Sequence, residues 1–348
     1  VPRLTGVVDL ADPMFSRGIE DGGVDAEFVT TPRRTVIWPM RDNRPVGCFL
    51  VWARPGYRAG NPVMTVQADR IDSLLAARTV RATLQFSQVD QLGIARDLIR
   101  YALGRPLLHA LEQPLSKGPA ADVPWLRLDP AVSGVLRDRL ELDGYQALSR
   151  KKISELLAEL AAVQGGFEQR LDYAIDPVTN APFATWRFGY PTLGVSAADT
   201  QLVFEHPGVV EDLVLDEDAY TSANLVDVLG AGEGESKIIA TALDTRETDT
   251  GGPLLEYTHT GDETQLENAF AKASAQLADR LGVNEGWTLR VRADAEPAFG
   301  SYVLGDHIVA RVSDTRWPLR EVLLRVIGWD IHPSTSSVDT VDLVVTNP

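Results

Sequence analysis

The chain has 348 residues, 44% hydrophobic and 24% charged, the make-up of an ordinary globular protein with room for two to three domains. Its formal charge of −16 argues against a nucleic-acid-binding surface, which needs clustered Lys and Arg to displace counterions from phosphates; an acidic conduit past which DNA slides without sticking is compatible with it. A single cysteine, Cys48, excludes an intrachain disulfide, and no apolar run reaches the length of a membrane-spanning helix. The start at Val1-Pro-Arg-Leu4 lacks the layout of a signal peptide, and the missing initiator Met predicts numbering that begins inside a longer or processed product.

In chain order, residues 1–34 read as loop with one or two short strands, because Gly18, Gly22 and Gly23 break any period and Asp9, Asp12, Asp21 and Asp25 keep the stretch polar. Thr35–Met40, a polar turn over Arg41–Pro45 and Val46–Ala53 predict a hairpin, with Pro39 placing it at a sheet edge. Cys48 lies in its apolar arm and reads as a small packed hydrophobe. A strand at Val63–Gln67 leads into a short helical turn at Asp69–Ala76. A helix is expected from Ser87, with Val89, Leu92, Leu98, Ile99 and Ala102 on one face and a stop at Gly104-Arg-Pro106. The Pro-rich run Leu107–Val123 reads as a linker. A second amphipathic helix, Ile153–Val163, ends at Gly165-Gly166, and a hairpin of Phe167–Ile175 and Phe183–Phe188 turns at Asp176–Asn180.

From Val209 to Thr346 the signals are unbroken. Four β runs come first, Val209–Leu215, Ala223–Gly230, Ile238–Leu243 and Leu254–His259. A helix follows over 262–281, opened by Thr260 with Glu263 at capping-box spacing and closed at Gly282. Its stripe of Leu266, Phe270, Ala273, Leu277 and Leu281 predicts docking, through Phe270 and Leu277, onto the sheet that comes after it. That sheet begins where Trp287, Leu289, Val291 and Ala293 alternate with polar residues, and continues through His307–Val312, Val322–Ile331 and Val338–Thr346, joined through Gly300, Gly305-Asp306, Trp317-Pro318 and residues 333–337. No 20–50-residue repeat is visible. The expected class is α+β, mostly β, with β-rich parts flanking a mixed middle.

This order of elements resembles the tail-tip hub proteins of long-tailed phages, in particular the minor tail proteins of actinobacterial siphophages. The resemblance rests on the Val-Glu-Asp strand, the Ser222-Ala-Asn-Leu-Val-Asp strand, the Gly230-Ala-Gly-Glu-Gly234 turn, the Ala-rich helix and the series from Arg290-Val-Arg-Ala-Asp-Ala-Glu-Pro297 through Leu304-Gly-Asp-His-Ile-Val-Ala-Arg-Val312 to Val326-Ile-Gly-Trp-Asp-Ile331. It extends upstream through the helix, double glycine and hairpin to cover roughly Thr35 to Thr346. It implies two small tube-type β-barrel domains, 1–86 and 201–348, flanking a mixed domain, 87–200. It further implies a structural virion protein at the distal end of the tail, not an enzyme, with no cofactor and no metal. Such a protein closes the tail tube, joins the distal tail protein to tip or fibre proteins, neighbours the tape measure protein and forms part of the DNA exit channel. A six-fold tube is matched by a homotrimer whose subunits each carry two similar barrels.

A receptor- or carbohydrate-binding tail module is the alternative, since indole faces stack on sugars. Of seven tryptophans, Trp38, Trp52, Trp186, Trp287 and Trp329 fall within predicted strands, where core packing is expected, and Trp125 and Trp317 are less constrained. Asp249-Thr-Gly251 spells the aspartic-protease tripeptide, but a polar run precedes it where an apolar strand is needed, so a solvated turn is expected. Gly230–Gly234 precedes a strand, not a helix, which fits a turn needing positive φ better than a phosphate cradle. His109, His206, His259, His307 and His332 stand singly, the acids at Asp212, Asp216, Glu217, Asp218, Asp339 and Asp342 lack calcium-loop grammar, and Ser116-Lys117 has no partner His nearby. A separate peptidoglycan hydrolase domain would need about 100 further residues.

Overall fold

Met64, Val66 and Ala68, alternating and all buried, make Val63–Arg70 an inner strand of the first sheet. The computed structural model describes residues 3–9, 30–56, 58, 61, 63–112, 123–140, 145–163, 165–261, 266–334 and 338–347. Most of the 1–34 stretch, the heart of the expected linker and Glu263 of the expected capping box lie outside the described residues. The chain divides into two units, Val1–Leu193 and Gly194–Pro348.

The first unit runs β1 (Arg3–Asp9), β2 (Val36–Ile37), β3 (Met40–Arg41), β4 (Arg44–Pro45), β5 (Phe49–Ala53), β6 (Val63–Arg70), α1 (Ser73–Ala76), β7 (Phe86–Asp90), α2 (Gln91–Ala102), β8 (Leu126–Leu128), β9 (Leu136–Arg139), α3 (Ile153–Ala161), β10 (Glu168–Ile175) and β11 (Pro182–Gly189). The antiparallel order β1-β6-β5-β2 leaves β2 at an edge, as Pro39 implies. The expected hairpin is two nested pairs, β2 with β5 and β3 with β4, around Asp42 and Asn43 at left-handed φ of 48° and 60°. Trp38 falls between β2 and β3, not within a strand, and meets Trp125 edge-on at 5.2 Å. The 168–189 hairpin pairs as expected, and β8 joins β11 in parallel.

The helix expected from Ser87 starts at Gln91 instead. Residues 86–90 pair with β9, where the Asp138 carboxylate accepts the N–H of Gln88 at 2.9 Å, and Asp90 caps α2 by accepting from Leu92 N–H at 2.9 Å. Side-chain bonding across the chain overrides the local helical period there. Helix α2 is buried on nearly every side, and its polar residues act as struts. Gln91 donates to Gly165 O at 3.0 Å, Arg96 donates to the carbonyls of Asp129 and Ala131, and Asp97 accepts from the N–H groups of Leu108, His109 and Ala110. A buried charge is tolerable when hydrogen bonds of this kind replace water. One core drawn from residues 48–188 surrounds this helix, with Phe86 fully buried in it.

The second unit runs β12 (Val203–His206), β13 (Val210–Asp218), β14 (Leu225–Leu229), β15 (Ile239–Leu243), α4 (Arg246–Asp249), β16 (Glu256–Thr260), α5 (Leu266–Arg280), β17 (Asn284–Arg292), β18 (His307–Val312), β19 (Arg320–His332) and β20 (Thr340–Thr346). Six strands order as β12-β18-β19-β20-β17-β13. The two edges are consecutive in sequence. Laid flat, they would stand about 24 Å apart at about 4.8 Å per strand spacing, while the link over 207–209 spans at most about 15 Å. The sheet therefore curls into a half-barrel, with Phe204, Trp287, Leu289, Val291, Leu324, Val326, Val341, Leu343 and Val345 inside. At the start of the unit, Gly194 at φ 94° lies so near Gly305 that a Cβ would sit 2.2 Å from its carbonyl carbon. Buried Asp306 holds this segment by accepting Val195 N–H at 2.8 Å and Val303 N–H at 2.9 Å.

Helix α5 does not dock where expected. It covers the small sheet β15-β14-β16, inserted between β13 and β17, through Ala269 and Ala273 against Val226, Val228, Ala240 and Ala242, with Leu277 at the margin. Phe270 is 55% and Leu266 60% exposed. Small alanines let the helix approach the sheet closely, so the buried stripe is rotated from the one that the larger side chains mark. Phe270→Ala is thus expected to change stability by no more than about 0.5 kcal/mol, whereas Ala273→Leu overpacks the contact and costs about 1–3 kcal/mol. Urea unfolding of the two variants checks both values.

Candidate assembly surfaces

The residues weighed for chemistry do not converge. Asp249 closes the one-turn helix α4 on the surface, and Gly251 follows at φ 90°. Gly232, at φ 103°, would place a Cβ 2.4 Å from Ser236 O, and a single 3-10 turn over 234–236 leads straight into β15. This is the expected positive-φ turn between strands. Cys48 is fully buried and its thiol pKa is pushed well up by loss of solvent. His206 faces Val210 O, His307 faces Val195 O, His332 faces Asp342, and His109 stands 3.6 Å from Asp97. Among the described residues no group of three or more His, Cys, Asp or Glu is placed to hold a metal ion. Ser116 and Lys117 lie outside the described residues. The two less constrained tryptophans pack as well: Trp125 meets Trp38, and Trp317 lies 5.9 Å from Trp287 under the guanidinium of Arg320.

Charge divides unevenly between the units. The first holds 23 Lys and Arg against 22 Asp and Glu, the second 10 against 27, so the whole negative excess sits on the second. On the outer face of its curled sheet the charges form cross-strand ladders. Arg311 bridges Glu205 at 3.1 Å and Glu321 at 2.7 Å, and Arg290 meets Asp342 at 2.8 Å, while Arg316, in the connection between β18 and β19, meets Glu217 at 2.9 Å. Arg290, and after it His332, hold the Asp342 carboxyl below the usual range, against the opposing effect of burial. Exposed pairs of this kind contribute little stability singly. Across strands they set which residues stand opposite one another.

The small sheet offers a different surface. One face lies under α5, and the other carries Leu225, Asp227 and Leu229 of β14, Ile239, Thr241 and Leu243 of β15, and Glu256, Thr258 and Thr260 of β16. Leu225 stands opposite Leu243 and Leu229 opposite Ile239, which makes an aliphatic patch outside the cores of this unit. Ile239 is 54% and Leu243 52% exposed. Strand β15 is also a sheet edge and carries no charge. Its sequence alone gave no sign of this, because Ile239-Ala-Thr-Ala-Leu243 reads as an ordinary half-buried strand.

No family model and no curated protein matches the sequence. Solved structures do. A tail protein from Neisseria meningitidis MC58 superposes with a TM-score of 0.53 at 14% identity, over 87% of this chain and 80% of its own. The 43 kDa tail protein of prophage MuSo2 from Shewanella oneidensis superposes with a TM-score of 0.60 at 12% identity, over 99% of this chain and 89% of its own. The mostly β architecture is therefore a fold found in phage tail proteins.

The ladder on the outer face gives a pH expectation. A depressed Asp342 pKa contributes stability above the unfolded value of about 3.9, and that contribution is lost as pH falls through the lower folded value. Arg290→Met should raise the Asp342 pKa towards the ordinary range and move acid unfolding to higher pH. Carboxyl NMR titration of wild type and variant reads the first effect, and circular dichroism from pH 6 to 2 the second.

Proposed function

We propose that this chain is a structural protein of a phage tail, working at the distal end as a hub. The fold carries the reading, shared over nearly the full length with the MuSo2 tail protein. In this reading 1–86 and 201–348 act as two tube-like parts flanking 87–200. Three copies then present six β-rich parts to a six-fold tube, joining a distal tail protein above to tip or fibre proteins below. The tape measure protein and DNA pass through the centre.

The charge division supports the conduit. A unit with 27 acids against 10 bases repels a phosphate backbone, so DNA near it would slide rather than bind. The same repulsion works between copies, and it favours an isolated protein that stays monomeric until a neighbouring ring templates it. No helix among the described residues is long and apolar enough to cross a membrane, and in this reading the chain's place is the virion tail.

Cryo-electron microscopy of assembled tails tests the proposal. The expected density is a three-fold ring of this chain around an axial channel, open or filled by a plug. Six copies in the ring, or a tip with neither channel nor plug, would refute it.

A further inference from the structure

Strand β15 is an outer strand of the small sheet. Its hydrogen-bond phase is fixed at both ends, because Gly230 N–H donates to Ile238 O at 2.8 Å and Asp244 N–H donates to Asn224 O at 2.8 Å. Even-numbered residues thus exchange bonds with β14, and the N–H and C=O groups of Ile239, Thr241 and Leu243 point away from the sheet. Free edge groups of this kind are usually guarded by Lys, Pro or a bulge. None of these stands in β15, whose register with β14 is unbroken.

Side chains and rim add selectivity. Ile239 and Leu243 project to the open face beside Leu229 and Leu225, with Asp227 between the two aliphatic pairs, bonded to the Thr241 hydroxyl. Glu233 and Glu235 stand at one end of the strand, and Asp244, Glu247 and Asp249 follow the other. Opposing these acids are Lys237 and Arg246, and Arg246 is already paired with Asp244 at 2.7 Å. An apolar floor with a central carboxylate and acidic ends fits an extended segment whose apolar residues flank a cation and whose ends are basic. A second copy fits poorly, since edge-to-edge pairing would bring the acidic ends of two β15 strands together.

The geometry points to β-strand addition at β15: a basic extended segment of a partner protein pairs with the backbone of Ile239, Thr241 and Leu243, sets apolar side chains on the Leu225/Leu229/Ile239/Leu243 patch and places a Lys or Arg at Asp227. Main-chain bonds supply the affinity and alternate side chains the selectivity. The inference is independent of the copy number in a ring.

The probe is the peptide Lys-Val-Thr-Lys-Thr-Val-Lys, whose pattern reads the same in both strand directions, titrated into the full chain. A control peptide carries a methyl group on every internal backbone nitrogen, keeping the charge and the side chains while removing the donors that a ladder needs in either strand direction. The expected result is one peptide bound per chain, with slowed hydrogen exchange at the amides of Ile239, Thr241 and Leu243. Binding should weaken roughly ten-fold or more with the control peptide, with Thr241→Pro and with Leu243→Gln. Thr241→Pro removes no bond to β14, because that N–H points outward, and Leu243→Gln alters an exposed residue without changing the charge, so the second variant remains informative if the first unfolds. Equal binding of the control peptide, or undiminished binding by Leu243→Gln, would mean charge attraction alone and would overturn the inference. So would sedimentation showing wild-type dimers that either variant dissociates, since a second copy would then be the occupant.

Discussion

Residues 207–209 join the first and last strands of the six-stranded sheet, and much of the second unit follows from how short that link is. Curling brings the inner faces of all six strands towards one narrow interior. Alternating residues fill it with aliphatic side chains and a few aromatic ones, such as Phe204 against Tyr302 at 5.5 Å. The residues between β13 and β17 build a separate layer, the small sheet β15-β14-β16 under α5. The core of that layer is made mostly of Ala and Val, and its second face has no covering among the described residues.

The larger sheet was legible in the sequence, since Trp287, Leu289 and Val291 are buried while Arg290 and Arg292 are exposed. The hairpin at 168–189 and the turn at Gly230–Gly234 could be read for similar reasons: their signals are local. Where the sequence misled, a distant partner decided. Asp138 draws residues 86–90 into a strand, and α5 turns Ala269 and Ala273 inward because closeness of backbone, more than side-chain size, sets that contact. Trp38 sits just beyond a two-residue strand, where an aromatic cluster fixes it. The candidate surface was illegible for a further reason. A strand's edge is defined by which strand is missing beside it, and no residue in β15 records that absence.

The uneven charge gives the two units different physical tasks despite their shared β-rich character. In the first, cations and anions balance, and several are taken up in holding loops; Arg105 reaches the carbonyls of Val123 and Leu126. In the second, the Arg residues on the outer sheet face are largely engaged in cross-strand pairs, and the surplus acids line turns and strand ends. Screening at physiological salt confines their reach to about 8 Å. Their influence is strongest on whatever passes or docks close by.

Helix α2 anchors three loops, and all the bonds from Gln91, Arg96 and Asp97 to them end on main-chain atoms: Gly165 O, the carbonyls of Asp129 and Ala131, and the amides of residues 108–110. Every amino acid offers that carbonyl, and every one but proline that amide. At 108–110 and 129–131 the path of the loop is consequently held without reference to side chains at the points of attachment, whereas at 165–166 it needs glycine, since Gly165 stands at φ 67° and a Cβ on Gly166 would lie 1.8 Å from Ala161 O. The first two loops can therefore change sequence at those points while the helix stays fixed, so a variable surface and an invariant scaffold can coexist in one folded unit.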